Sequence, residues 1–306
     1  LVGVSVYAYA PLASAQSPVL NWGHPDTAEG FWWMVSGSIY QGFTFDVRGE
    51  ELFRRAVTST DHLFAQFAFI GVLLGLAGLG LMWDRMRSLL IAHLVTVVAV
   101  VVYAITYRTI DSFLYLIPVF MLFSIWMAVG MARMLSHVDE VREAIRPLRT
   151  VKRPVVVGIS VVIVLAVVPG FSIATNWGSL DLSDDREASN YAESAFETME
   201  PGSIVITRTD QTVFSLWFQA YVADTEHSVM AVSAPHIVFD WYWDDLVQQY
   251  PDRMPDNRPE GLLLRVLSII DHNLGINQIY EANAPAEAFP EFQLVEDGPL
   301  KRFVPG

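Results

Sequence analysis

Residues 16–33, Q-S-P-V-L-N-W-G-H-P-D-T-A-E-G-F-W-W, gather side chains able to do chemistry into one short loop between apolar stretches. One histidine with carboxylates at +2 and +5 (His24, Asp26, Glu29) can be drawn as a hard-metal site, but the spacing is not diagnostic, and no metal is assigned. The same residues read more simply as a helix start. Asp26 would be the N-cap of a helix beginning near Thr27, with Glu29 closing a D-x-x-E box. Trp22, Trp32 and Trp33 either stack on sugar faces or anchor the loop at a membrane interface. A second candidate is the turn R-T-I-D, where Arg108 and Asp111 sit between two apolar runs. Charges at headgroup depth are costly unless paired or functional. Arg108 could therefore hold a lipid phosphate by a bidentate contact, or snorkel and pair locally with Asp111. A third is T-R-T-D-Q-T after the strand expected at Ser203–Thr207. Arg208 and Asp210 there stand at a strand's carboxyl end, where ligands of such sheets bind. The plainer reading makes Asp210 a helix cap.

The elements that must position these residues begin with four uncharged apolar runs: 63–83, 88–107, 112–132 and 154–175. Each meets or passes the about 20 residues a helix needs to cross a bilayer. With 17% charged residues and a mean hydropathy of +0.36, the chain is expected to be an integral membrane protein. Residues 62–175 form its membrane domain. Residues 1–12 read as the end of a truncated transmembrane helix or as a signal peptide, and 13–61 as an outer loop. Arg85 and Arg87 lie in one short turn. Arg133, Arg142, Arg146, Arg149, Lys152 and Arg153 lie in the longer connection. Short basic loops stay cytoplasmic, so 13–61 and 176–306 are expected outside, on a bacterial cytoplasmic membrane. Gly71 and Gly75, with Gly78 and Gly80 behind them, read as a close helix-packing face. His93 reads as an interhelical hydrogen-bonding group.

From residue 176 onward there are 22 acidic and 7 basic residues, a net charge of −15. Phosphate would be repelled, which argues against nucleic acid as a partner. This half alternates strand and helix patterns. Helices are expected at 184–200 (capped by Ser183 or Asp184), 212–222, 239–250 and 261–272. Strands are expected at 203–207, 228–232, 278–280, 292–295 and 301–304, the last two a hairpin through Asp297-Gly298. The fold class is thus an α-helical integral membrane domain followed by a small soluble α/β domain with a mostly parallel sheet. There are no cysteines, so neither disulfides nor thiolate metal sites arise. No dinucleotide fingerprint or P-loop follows the first strand, and no Ser/His/Asp triad assembles.

P-V-L-N-W-G-H-P-D-T before F-W-W-M-V-S-G-S-I-Y, then Y-R-T-I-D-S-F-L-Y-L-I-P, resembles a family of polytopic membrane proteins labelled as a domain of unknown function. G-S-I-V-I-T-R-T-D-Q-T-V-F-S-L-W-F-Q-A-Y and F-D-W-Y-W-D-D-L continue the resemblance, which covers roughly residues 5–250. That family is similar to protein O-mannosyltransferases and other C-fold membrane glycosyltransferases. The resemblance implies transfer of a sugar from a polyprenyl-phosphate carrier to a protein or glycan acceptor outside the cytoplasm, with no further cofactor. It implies that the main catalytic carboxylate lies in an amino-terminal half these residues lack. Asn21, Trp22, Gly23, Pro25, Tyr40, Asp111, Tyr115, Pro118 and Asp210 carry over. His24 departs from an acidic position of the family. The substrate-binding set expected from residues and resemblance together is Asn21, Trp22, His24, Asp26, Trp32, Tyr40, Arg108, Asp111, Tyr115 and Asp210. The competing reading is a non-catalytic membrane-anchored module whose acidic outer domain binds a protein or envelope partner.

Overall fold

The computed structural model describes residues 4–144, 150–223, 228–283 and 289–304. Arg146 and Arg149 of the basic connection, and the first three residues of the expected 1–12 helix end, lie outside them. The chain divides into two compact units, 1–39 with 184–306, and 40–183. The amino-terminal segment therefore groups with the carboxyl-terminal α/β part, although four long runs of sequence separate them.

The first unit opens with α1 (Tyr9–Ser14) after a 3-10 turn at Val4–Ala8, and continues to α2 (Ala28–Val35). The cap of α2 is Thr27, whose hydroxyl accepts from the Gly30 amide at 3.0 Å. Asp26, the cap expected from the D-x-x-E pattern, does not cap the helix. Its carboxylate is taken up by Ser14 Oγ at 2.6 Å, and the neighbouring hydroxyl supplies the acceptor instead.

The second unit is helical: α3 (Gly49–Arg85), α4 (Arg87–Thr106), a 3-10 turn at Ser112–Leu116 leading into α5 (Ile117–Ser136), α6 (Val138–Ala144) and α7 (Arg153–Leu180). Three stretches, Gly49–Arg85, Arg87–Thr106 and Ser112–Ser136, are helices long and apolar enough to cross a membrane. The fourth expected run is also helical, within α7, which carries Pro169 inside it. Much of the apolar surface faces outward: Val95, Val98 and Met121 are all mostly exposed. A protein in water rarely leaves so large a contiguous apolar surface uncovered.

The α3 helix is longer than its apolar run, because Gly49–His62 continues it as a polar, charged segment. Its backbone breaks at Ala68 (φ 52°, ψ 172°), so α3 is two helices joined at a kink. Against α5 it packs through glycine. A Cβ on Gly78 would stand 1.7 Å from the carbonyl oxygen of Trp126, and one on Gly130 would stand 2.1 Å from that of Leu74. Gly71 and Gly75 are buried in the same face, as the small-residue spacing anticipates, while Gly80 meets nothing. The Trp126 Nε1–H donates to His93 Nδ1 at 3.1 Å, so His93 does join two helices.

The first unit resumes with α8 (Glu187–Thr198), β1 (Ile204–Thr207), α9 (Asp210–Phe218, running on as one π turn to Ala223), β2 (Met230–Ser233), α10 (Asp240–Gln249), α11 (Leu262–Asn273), β3 (Ile279–Glu281), β4 (Gln293–Asp297) and β5 (Leu300–Val304). The strand order is β2-β1-β3-β5-β4. β1 pairs in parallel with β2 and β3, whereas β5 runs antiparallel to both β3 and β4. The sheet is thus mixed and not mostly parallel. The reason is the terminal β4–β5 hairpin, which turns at Gly298 and adds to the β3 edge without a crossover helix. The core is built on the buried β1 and β2, with Val213, Leu216 and Trp217 of α9, Tyr242, Trp243 and Leu246 of α10, and Ile269 and Ile270 of α11 among the residues packed on them. Two expected caps differ. α8 starts after Arg186, with Asp185 accepting from the Glu187 amide, and α9 starts after Thr209 with no side-chain cap. Asp210 is the first residue of α9 and does not cap it.

Candidate functional site

In the first unit the N-W-G-H-P loop folds back onto α10. Gly23 (φ +71°) and His24 (φ +49°) turn the chain in the left-handed region. A side chain at Gly23 would collide with the Trp33 ring at 2.6 Å. The turn directs His24 at α10, where its Nε2–H donates to Asp245 Oδ1 at 2.8 Å. Asn21 Nδ2 donates to His24 Nδ1 at 3.1 Å, which leaves Nε2 to carry the imidazole proton. Ser14 Oγ lies 2.7 Å from Asn21 Oδ1 and 2.6 Å from Asp26 Oδ1. Its hydroxyl holds the Asp26 carboxyl below the usual carboxylate range. Four polar residues of the expected binding set or its border are therefore occupied with one another and with Asp245.

Trp22 meets His236 edge-on at 4.5 Å and Trp241 at 5.9 Å, while Trp33 meets Phe239 at 5.4 Å and Trp241 at 6.0 Å. The space left between Trp22, Trp217, Trp241 and Tyr242 is about 10 Å³, room for about one water. Trp22 is thus a packing residue, whereas Trp32 on α2 is 65% exposed.

His236 itself is buried, with Nδ1 2.6 Å from the Ser233 hydroxyl. Burial pushes its imidazole below the usual value, opposed by the charge of Asp210. A histidine kept neutral when folded and free to protonate when unfolded costs stability as pH falls below about 6.5. Asp245 runs the other way. Burial raises its carboxyl, partly offset by His24, so protonation relieves it as the solution becomes acidic. The His236 contribution, which Asp245 opposes, is expected to lower the melting temperature of this unit, followed by tryptophan fluorescence, from pH 7 towards 5. The variant His236→Asn, which keeps an acceptor for Ser233, is expected to flatten that fall. An equally steep fall in the variant assigns the loss to another group.

At the carboxyl ends of β1 and β3, Asn283 Oδ1 accepts from Thr207 Oγ1 and the Arg208 amide, and its Nδ2 donates to Thr209 and Thr212. Arg208 lies 3.9 Å from the buried Glu281 and 4.9 Å from the Phe289 ring. Arg208 is thus tied into the fold. Asp210 stays exposed beside this cluster.

The second unit carries its own cluster, at the end of α3 and α4 away from the Arg85–Arg87 turn. Arg108 Nε forms an ion pair with Asp46 Oδ2 at 2.9 Å, and its guanidinium lies 5.5 Å from the Phe43 ring centre. The Arg108 amide donates to Phe43 O, and the amides of Asp46 and Val47 donate to Thr106 O, fixing 43–47 against the end of α4. Arg108 is 59% exposed in this setting. The expected local partner, Asp111, is not the one Arg108 takes, because the 43–47 segment brings Asp46 alongside. Asp111 is exposed at the start of the 3-10 turn. Tyr115 meets Tyr103 and Tyr107 edge-on at 5.2 and 5.4 Å, and Tyr40 is exposed.

A cavity of about 260 Å³ opens at the same end, lined by Arg54, Arg55, Thr58, His62, Ser112 and Phe113 among others. Arg55 spans its floor, donating from Nη1 to Tyr107 O at 2.6 Å and Ser112 Oγ at 3.0 Å, and from Nε to Glu51 at 2.8 Å. Arg54, Arg55 and His62 stand outside the candidate site residues that the sequence motifs single out. The available signal was their helical spacing with Glu51 and Thr58, which puts all of them along one side of α3. Among the described residues, no group of three or more His, Asp or Glu is gathered as a metal site. Comparisons with protein-family models, curated proteins and solved structures found no match to this chain.

Proposed function

We propose that this is a membrane glycosyltransferase-like protein that takes a sugar from a polyprenyl-phosphate carrier and passes it to an acceptor outside the cytoplasm. What supports the reading is Arg108. It is a guanidinium just past the end of an apolar helix, 59% exposed, paired with Asp46 and lying near the Phe43 ring. When the bond between the anomeric carbon and the carrier oxygen breaks, negative charge develops on the phosphate. A preorganised guanidinium stabilises that charge without reorganising. The acceptor oxygen forms the new bond and gives up its proton; no residue of this chain is assigned as the base. With full-length protein and a labelled polyprenyl-phosphate sugar, Arg108→Ala is expected to lower transfer by about 10²–10³-fold. Arg108→Lys, which keeps the charge but loses the fork, should fall between. Unchanged transfer in a correctly folded Arg108→Ala protein retires the proposal.

A second reading, a non-catalytic membrane-anchored module, is favoured by the closed Ser14–Asn21–His24–Asp245 network. The space beside the loop, lined by Asn21, Trp22 and Asp245 among others, is about 10 Å³, too small for a sugar. Under that reading no transfer occurs, and a partner protein or envelope polymer binds the acidic first unit.

A further inference from the structure

The cavity beside Arg54 and Arg55 does not end at its polar rim. His62 and Phe113, whose rings stack at 5.0 Å, line it and also line a groove of about 700 Å³ between α3, the start of α5 and α7. That groove is walled mainly by apolar side chains, Phe67, Leu114, Ile117, Phe120 and Ile173 among them, with Gln66, Ser172 and Asn176 also on its lining. A smaller cavity of mixed polarity and a larger, mainly apolar groove thus share the His62–Phe113 ring pair in their walls. We infer that the two together bind one anionic membrane phospholipid, its phosphate at Arg54 and Arg55 and an acyl chain along the groove.

The charges fit a single negative head. Arg54 and Arg55 share the one carboxylate of Glu51, leaving the cluster a net positive charge. The hydrogen bonds already made leave specific donors over. Arg54 uses Nε and Nη2 on Glu51, which leaves Nη1. Arg55 uses Nε and Nη1, which leaves Nη2. The Thr58 hydroxyl completes a set of three donors on one wall of the cavity. Two guanidinium N–H groups and a hydroxyl match the oxygens of a phosphodiester. The cavity lies where α3 changes from charged (Glu51, Arg54, Arg55) to apolar (Leu63 onward), the depth at which phosphates of a bilayer lie if these helices span it. This site is separate from the transfer proposed for Arg108 and stands or falls apart from it.

The full chain, purified in a neutral detergent and delipidated, would be titrated with phosphatidylglycerol or phosphatidylcholine, and retained lipid counted by native mass spectrometry. Phosphatidylglycerol is expected to bind at least about ten-fold more tightly than phosphatidylcholine. Arg54→Ala removes a charged donor that pins nothing in the fold beyond Glu51, and should erase most of that preference. Ala65→Trp, which fills the groove, should weaken both lipids about ten-fold, with the melting temperature as the check that each variant is folded. Arg85→Ala, at the opposite end of α3, should change neither. Equal binding of the two lipids, or an unaltered preference in Arg54→Ala, overturns the proposal. So does full displacement of the lipid by inorganic phosphate, which would make the site one for a free anion. Unchanged binding in a folded Ala65→Trp protein overturns the acyl half and with it the lipid assignment.

Discussion

Gly78→Ala is expected to separate α3 from α5, although alanine is the better helix former. The added Cβ would stand 1.7 Å from the backbone oxygen of Trp126 and 2.9 Å from the amide nitrogen of Gly130. No rotamer change can relieve contact between a Cβ and a neighbouring main chain, so the helices themselves must move apart. Close approach is the main source of attraction between helices in lipid, where burying apolar surface adds nothing. Moving them apart also disturbs Trp126, buried beside Phe123 and hydrogen-bonded to His93. Overpacking of this kind costs about 1–3 kcal/mol or more. In detergent the Gly78→Ala protein should melt several degrees lower and be recovered in smaller yield. Gly80→Ala is the control, since it lies in the same helix with nothing within 4 Å. It should leave stability unchanged or slightly raised. Equal behaviour of the two variants would mean that α3 and α5 are not in this contact.

Trp22→Ala and Trp32→Ala are expected to diverge, and the divergence separates architecture from recognition in the tryptophan-rich loop. Trp22 packs on His236 and Trp241 and joins the main core of its unit. Its loss should cost about 3 kcal/mol, the low end for a core aromatic because part of it remains in solvent. The tryptophan-monitored melting temperature should drop by roughly 6–12 °C for a unit of this size. Trp32 is mostly exposed and meets the partly exposed Phe31 edge-on at 5.6 Å. Trp32→Ala should leave stability within about 0.5 kcal/mol. Its effect then shows elsewhere, as weaker sugar binding if the ring stacks on a glycan, or weaker vesicle association if it anchors the loop. A Trp32→Ala protein that unfolds as readily as Trp22→Ala would show that both rings are structural.

The helices and strands were legible because their causes are local. Uncharged runs of about twenty residues leave the backbone no partner but itself, and helices form over all four. In the α/β part, Pro201-Gly202 ends one element and I-V-I-T begins the next, close to where the structure places them. The glycines of α3 announced a packing face by spacing alone. Helix caps were less legible, because Asp26 and Thr27, or Thr209 and Asp210, differ by one position in a pattern that allows either. The antiparallel hairpin was visible in Asp297-Gly298, but not the edge it joins.

The candidate sites divide along the same line. Sequence alone determined which residues carry charge, ring or hydroxyl, and that most of them stand at the ends of apolar helices or strands. The tertiary structure alone decided their partners. His24 meets Asp245 on α10, Arg108 meets Asp46 and passes over Asp111, and Arg55 reaches Ser112. Each pairing joins segments far apart in the chain, and no local preference encodes it. Hydrogen bonds and ion pairs act over a few ångströms in space, so they form between whatever residues packing brings together. Packing is decided by the burial of all the apolar faces at once.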